Sequence, residues 1–397
     1  MIKIIAILDS AIGAGGGFDQ SLNAIMQMLR LSSNRFVFEV FTTQENNVDF
    51  LNRLGIKAIV VKVSIFDRFI VKFSQSIFLQ ALQCRLKLVG PLEKKLIRHG
   101  CDVVYFLTPS HLPSVLQKLN YINAVWDLCH RETPEFPEVR SFNTFLMREK
   151  IYKYSFGPAL FTFTDSKRLA DMASQYYGVE RNRFIVMPFS PTPFLEQKYA
   201  TKAQEVIDKY TLDADYYYYP AQFWAHKNHI RILQALIILR DVNRFTPSVV
   251  FSGKDYGNLG HIKKFIKANK LDSQVKILGF VPSEDMRGLY EKAIAVVMPT
   301  YFGPTNLPPL EAWSLGIPLI YSVQLAEQAG DAALLVDPDN ATELSNAMLL
   351  CSKPKVRNQL ITKGHQRLVD IDLQRTDSEN QLCMLLGSFS GRRECWE

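Results

Sequence analysis

Hydrophobic positions along the chain alternate between two textures. Short runs of β-branched and aromatic residues at Lys3–Leu8 and at 36–43, 58–63, 102–107, 124–126 and 160–164 predict strands. Between them lie longer stretches with apolar residues at helical spacing, such as 20–31 and 166–177. The alternation predicts βαβ units and a parallel sheet. The second half repeats the scheme, with strands at 216–219, Ser248–Ser252, 275–278, 295–298 and 319–321. Helices are predicted there at 228–240, 262–268, 283–292 and 307–315. The pattern implies two doubly wound α/β halves. Their boundary is expected near residues 187–200, where Pro188, Pro191 and Pro193 interrupt any regular element. The tail from Arg367 onward reads as helix with polar breaks.

Length supports this division, because 397 residues exceed one ordinary core and fit two of nearly 200 each. Hydrophobic residues at 47% and charged residues at 21% exclude a disordered chain. The six cysteines form no C-x-x-C pair, so neither a zinc site nor a disulfide framework is expected, and a reducing cytoplasm suits them. No run approaches the roughly 20 apolar residues of a membrane span, and no cleavage pattern follows the first strand. Charge is uneven: residues 1–195 hold 23 Lys+Arg against 16 Asp+Glu, and the remainder 23 against 23. The basic first half either meets an anionic partner or carries ordinary surface charge.

Three segments carry candidate chemistry. Gly13-Ala-Gly15-Gly16-Gly17 lies between the first strand and first helix, where glycines let a ligand approach backbone N–H groups. It reads as a tight turn or a ligand loop. A dinucleotide fingerprint is disfavoured, because G-x-G-x-x-G counted from Gly13 ends on Phe18. The second segment, Pro220-Ala-Gln-Phe-Trp-Ala-His-Lys227-Asn-His, puts a lysine at a helix start. The helix dipole disfavours a cation there unless a diphosphate lies between them; the alternative is a surface lysine. The third runs from Met298 through Gly303-Pro-Thr305-Asn306-Leu307 to Glu311 and Pro318. Its loop amides at Thr305 and Asn306 suit a phosphate, and Glu311 either faces solvent or accepts bonds from paired sugar hydroxyls.

The succession of Lys227, Gly253, Gly279-Phe-Val281 and Pro-x-Leu-Glu-Ala resembles family 4 of the retaining glycosyltransferases, and the stretches around Lys227 and Thr305 resemble a branch working on bacterial surface polysaccharides. Thr164-Asp-Ser166 and the late segment from Gly330 to Pro338 are similar to the same family. The resemblance implies the α/β GT-B architecture, two Rossmann-like domains with parallel sheets facing a central cleft. An acceptor-binding domain would span 1–192 and a donor domain 193–375, with a helical tail 376–397 packing back on the first. It also implies that Lys227 holds the donor diphosphate and Glu311 the nucleotide ribose. Thr305, Asn306 and Leu307 would contact phosphate and sugar, Gln222 and Gly253 would line the donor site, and Val281 would face the base.

Two departures stand out: Gln222 replaces a common arginine, and Gly303 the first glutamate of the family's pair. Asp127 and His130, near the carboxyl end of a strand in the first half, are either structural or, by the resemblance, catalytic beside the donor sugar. Gly15, Gly16 and Gly17 would form the acceptor or phosphate loop. The stretch from Phe66 to Arg98 mixes apolar residues with Arg68, Lys72, Arg85, Lys87, Lys94, Lys95 and Arg98. It reads as a core-facing helix with a solvated basic face, or as a membrane-surface helix serving a lipid-linked acceptor.

The expected reaction is transfer of a sugar from a nucleoside-diphosphate-sugar to a saccharide hydroxyl of a lipid-linked intermediate in O-antigen or capsule-type assembly. Retention follows from the resemblance alone. No cofactor beyond the donor, no metal and no nucleic acid is expected. The enzyme would be cytoplasmic, peripheral on the inner membrane. The alternatives are a catalytically silent homologue acting as a binding partner, a sugar-nucleotide epimerase and a dinucleotide-dependent oxidoreductase.

Overall fold

The computed structural model describes residues 1–12, 16–32, 35–74, 85, 89–196, 200–213, 215–303 and 305–396. Chain contacts divide it into two units, one of Met1–His130, Phe142–Phe189 and Gln374–Glu397, the other of Arg131–Ser141 and Ser190–Leu373.

The first unit is built on strands β1 (Lys3–Leu8), β2 (Val37–Thr42), β3 (Ala58–Val60), β4 (Val103–Phe106), β5 (Asn120–Ala124), β6 (Thr162–Thr164) and β7 (Phe184–Val186). They pair in the order β3-β2-β1-β4-β5-β6-β7, every pairing parallel. β1 and β4 lie at the centre and are apolar almost throughout, as strands covered on both faces must be. Helix Gly16–Leu31 buries Phe18, Leu22, Ile25 and Met28 on one stripe. Helix Lys167–Tyr177 starts where Ser166 Oγ accepts the Leu169 amide at 3.2 Å.

The second unit holds β8 (Tyr216–Pro220), β9 (Ser248–Ser252), β10 (Val275–Gly279), β11 (Ala293–Met298), β12 (Leu319–Ser322) and β13 (Leu334–Val336), in the order β10-β9-β8-β11-β12-β13, again all parallel. Both sheets thus have the strand order of a doubly wound fold, with the switch point between β1 and β4 in one and between β8 and β11 in the other.

Several expectations shift. The strand predicted at 124–126 lies earlier, at Asn120–Ala124; its polar start reads as loop, but Asn123 is buried with its amide on the Ser155 carbonyl at 3.2 Å. β7 and β13, each of three residues, were not predicted, since so short a run carries no period. The tail has no polar breaks: helix Pro354–Arg393 is continuous. Leu382, Leu386 and Phe389 form its buried stripe in the first unit. There Glu379 accepts from Gln27 at 2.8 Å and pairs with Arg30, Ser378 Oγ donates to the Val186 carbonyl at 2.6 Å, and Arg393 meets Asp102 at 2.6 Å. The polar residues that look like breaks are the helix's contacts.

Of the stretch 66–98, residues 75–84 and 86–88 lie outside the described residues. Helix Ile65–Ser74 opens with a capping box: Ser64 Oγ accepts the Asp67 amide at 3.0 Å and Asp67 Oδ2 accepts the Ser64 amide at 3.0 Å. Asp67 also accepts the Leu92 amide at 3.3 Å, tying this helix to the start of helix Pro91–Arg98. Ile70 faces the core, whereas Ile65, Phe66, Arg68, Phe69 and Lys72 are exposed. The outward face is therefore apolar as well as basic. Among the described residues no helix is long and apolar enough to cross a membrane.

Candidate functional site

Four consecutive tyrosines open β8, and each hydroxyl has a specific partner. Tyr216 and Tyr218 point one way, to the Leu289 carbonyl at 2.7 Å and Ser252 Oγ at 2.7 Å. Tyr217 and Tyr219 point the other, to the Met348 carbonyl and, at 2.8 Å, the Lys227 carbonyl. A buried phenol needs such a partner, and the last of these bonds pins the end of the loop that leaves the strand. That loop turns through the short 3-10 segment Ala225–Lys227 to Asn228, whose left-handed backbone (φ 57°) starts helix His229–Asp241. The Asn228 side chain bonds the Pro299 carbonyl at 3.1 Å and the Pro338 carbonyl at 2.8 Å, locking the turn to the loop beyond β11.

The loops after β8 and β11 meet at the switch point of the second sheet, where ligands of doubly wound sheets bind. The Lys227 ammonium donates to Asn306 Oδ1 at 3.1 Å. Asn306 is the residue before helix Leu307–Ser314 and the hub of a buried network. Its Nδ2 donates to the Gly303 carbonyl at 3.1 Å and to Tyr321 Oη at 2.8 Å, its backbone exchanges bonds of 2.9 and 2.7 Å with the Gln328 amide, and Tyr321 donates to Gln328 Oε1 at 2.8 Å. The Asn306 amide, expected on a phosphate, is thus taken by Gln328. Pro308 and Pro309 have no N–H, so Thr305 and Leu307 carry the other backbone donors of residues 305–309.

Glu311 does not face solvent: it is 7% exposed and accepts the Tyr290 hydroxyl at 2.5 Å. Burial, and then the Glu311 charge, push the Tyr290 phenol well above its ordinary value, so it stays a donor. Val281 is buried beyond β10. Gly253, after β9, has a backbone reason to be glycine, since a Cβ there would lie 2.3 Å from the Ala221 carbonyl oxygen. Gln222 accepts the Trp224 indole N–H at 3.1 Å, and Trp224 stacks on Tyr256 with ring centres 4.3 Å apart. At Gly303 the backbone adopts φ +110°, so the departure from the family glutamate goes with a conformation that L-residues avoid.

Behind Lys227, His229 is fully buried among Tyr219, Phe223 and Phe251. Burial first, and then the Lys227 charge, lower its pKa to about 3. The folded state therefore keeps this imidazole neutral while the unfolded chain protonates near 6.5, so stability falls as pH drops below 6.5. Between pH 6.5 and 5 the loss is about 2 kcal/mol. Asp19 acts with the opposite sign, its pKa raised by burial to about 6. The histidine contribution is isolated by comparing urea unfolding of wild type and His229→Phe at pH 7 and pH 5; the variant is expected to lose less stability on acidification.

In the first unit, the Asp127 carboxylate is bound to Arg148 and accepts the Cys129 amide at 3.0 Å. Burial raises its pKa, but Arg148 and the Cys129 bond outweigh this and hold it below the usual carboxylate value. His130 is fully buried, with Nε2 on Glu149 at 2.8 Å and Nδ1 accepting Arg148 Nε at 3.2 Å. Burial, then Arg148, lower its pKa. Both groups thus sit in a structural network whose other members, Arg148 and Glu149, carry no sequence signal.

Gly15 lies outside the described residues. Gly16 and Gly17 open the first helix, with the Trp126 ring against Gly17. Phe18 is in the core, edge-on to Phe50, where a dinucleotide fingerprint needs a third glycine. Asp9, at the end of β1, accepts Thr108 Oγ1 at 2.6 Å, and burial raises its pKa. Asp9 and Asp19 flank the glycine cluster and were not singled out from sequence, because an isolated aspartate there reads as a cap.

The two parallel sheets define the α/β GT-B class of fold, which solved glycosyltransferases share. A glycosyltransferase from Rickettsia africae ESF-5 superimposes with a TM-score of 0.70 at 12% identity, covering 97% of this chain and 98% of that one. HepE of Anabaena, solved in complex with UDP-glucose, gives a TM-score of 0.69 at 16% identity, covering 96% and 99%. Within the second unit, residues 215–353 match the family described as glycosyl transferases group 1. A curated relative, O-antigen chain mannosyltransferase B of Escherichia coli, is 31% identical over 147 residues. That match spans 36% of this chain and 39% of the relative.

Proposed function

We propose that this protein transfers a sugar from a nucleoside-diphosphate-sugar to a saccharide hydroxyl in the assembly of a bacterial surface polysaccharide. The observation that carries the reading is the Lys227 ammonium, held 3.1 Å from Asn306 at the start of helix Leu307–Ser314, at the switch point of the second sheet. A cation beside a helix N-terminus stabilises a departing diphosphate, the main chemical demand of the reaction, without a metal. Glu311 lies in the same helix and binds the nucleotide ribose. The O-antigen relative and the UDP-glucose complex of HepE agree with this substrate class. Asp127 and His130 are held by Arg148 and Glu149 within the first unit. Retention is part of the proposal and rests on the family.

The test is a thermal-shift screen against UDP, GDP, dTDP and CMP, alone and as sugar conjugates. Selective stabilisation by one of them supports the donor site. No shift with any would overturn the reading and favour a silent homologue.

The acceptor is proposed to be lipid-linked, reached at the cytoplasmic membrane surface through the exposed face of helix Ile65–Ser74. Arg68 and Lys72 would meet anionic headgroups while Ile65, Phe66 and Phe69 enter the interface. At about 1 kcal/mol per basic residue, the double variant Arg68→Glu, Lys72→Glu should bind anionic vesicles at least roughly 30-fold more weakly. Unchanged co-sedimentation would rule this face out.

A further inference from the structure

Residues Arg131–Ser141 lie in sequence between two stretches of the first unit yet cluster with the second. Two side chains explain why. Phe136 packs its ring 5.1 Å from Tyr301 and 5.5 Å from Phe302, on the loop that follows β11. Glu138 reaches the loop that follows β8: its Oε1 accepts the His226 amide at 3.0 Å and also meets His226 Nδ1. The His226 ring is stacked on Phe302 at 3.8 Å with an interplanar angle of 16°. Its carbonyl accepts the Tyr301 amide at 3.0 Å and Thr300 Oγ1 at 3.2 Å. Both side chains of the Glu138–His226 pair are almost wholly buried, 8% and 10% exposed. One short segment therefore braces both loops of the switch point, and its carboxylate is bonded to the residue immediately before Lys227.

We propose that Glu138 is a positioning residue for the donor site: through His226 it fixes where the Lys227 ammonium stands relative to Asn306. The inference rests on the donor-site reading above. It assigns a role to a residue 88 positions upstream of His226, in a segment where sequence spacing marks neither residue. The arrangement differs from a direct donor contact, because Glu138 Oε1 takes both the amide and the ring of His226. It also differs from a merely stabilising ion pair, because both of its bonds converge on one residue of the Lys227 turn. Burial acts to raise the Glu138 pKa, but the bonds from the His226 ring and amide hold it below the ordinary value, so the carboxylate remains an acceptor.

The experiment is a double-variant cycle on the full chain, with nucleotide affinity measured by calorimetry using UDP, GDP and dTDP as probes. Glu138→Ala is expected to weaken the nucleotide bound by wild type roughly fivefold, and Glu138→Gln, which keeps an acceptor for the His226 amide, less. In a Lys227→Ala background, Glu138→Ala should cost little more, since the group it positions is gone. Full additivity of the two losses, or wild-type affinity in folded Glu138→Ala, overturns the positioning role while leaving the donor site standing. If Glu138→Ala does not fold, Glu138→Gln in the same cycle decides, read the same way. Binding of none of the probes by wild type overturns the donor-site reading and this role with it.

Discussion

Lys227→Ala is expected to lower sugar transfer by at least tenfold, and on the order of 100-fold where departure of the diphosphate limits the rate. The loss should appear in kcat and in nucleotide affinity together, because in the proposed reaction the ammonium would meet a diphosphate that is charged before the reaction and gains charge during it. Folding should survive. The turn around Lys227 is held by backbone and neighbouring groups, namely the Tyr219 hydroxyl on its carbonyl and the Asn228 side chain on two carbonyls. The variant removes the bond from Nζ to Asn306, whose other amide bonds to Gly303 and Tyr321 remain. Turnover at the wild-type rate, measured with the donor found by thermal shift, would remove Lys227 from the mechanism.

Gly253→Ala is expected to produce the largest loss of stability among single-methyl changes in the site. The added Cβ would lie 2.3 Å from the Ala221 carbonyl oxygen, 2.7 Å from its carbon and 2.8 Å from Gln222 Cα. All three contacts are backbone, so no rotamer change relieves them; β9 must move away from the loop after β8. Two ladder bonds resist this, from the Ala221 amide to the Ser252 carbonyl at 2.9 Å and from the Gly253 amide to the Gly279 carbonyl at 2.7 Å. Overpacking of this kind costs roughly 2–4 kcal/mol. At about 2–4 °C per kcal/mol, the melting midpoint should fall by several degrees. A midpoint within one degree of wild type would show that the loop yields easily, and the assignment of Gly253 to close packing would fall.

Ser248–Ser252 and Lys3–Leu8 are observed as expected from their patterns, because apolar runs of five or six residues between turn signals leave few alternatives. β5 was displaced because its polar residues, half-buried Asn120 and buried Asn123, hide a buried strand. Glu311 was ambiguous between solvent and site, since a carboxylate among apolar residues has both meanings until its partner, Tyr290, is known. His130 was likewise open between a structural and a chemical role. Its type and place suggested chemistry, yet Arg148 and Glu149 on helix Phe142–Ser155 occupy both its nitrogens.

By itself the sequence determined what depends on neighbours along the chain: the alternation of strand and helix, the glycine, proline and serine punctuation of the turns, and the family motifs around Lys227 and Glu311. Only the tertiary structure decided what depends on partners distant in sequence. It placed Asn306 between Lys227 and Gln328, gave the Asn306 amide to a side chain instead of a ligand, and brought Glu138 onto His226. It also turned the polar positions of the final helix into contacts. The physical reason is the same in each case. A backbone conformation is selected by a few adjacent residues, whereas the role of a buried polar group is set by whichever donor or acceptor the packing delivers to it, and no local pattern records that choice.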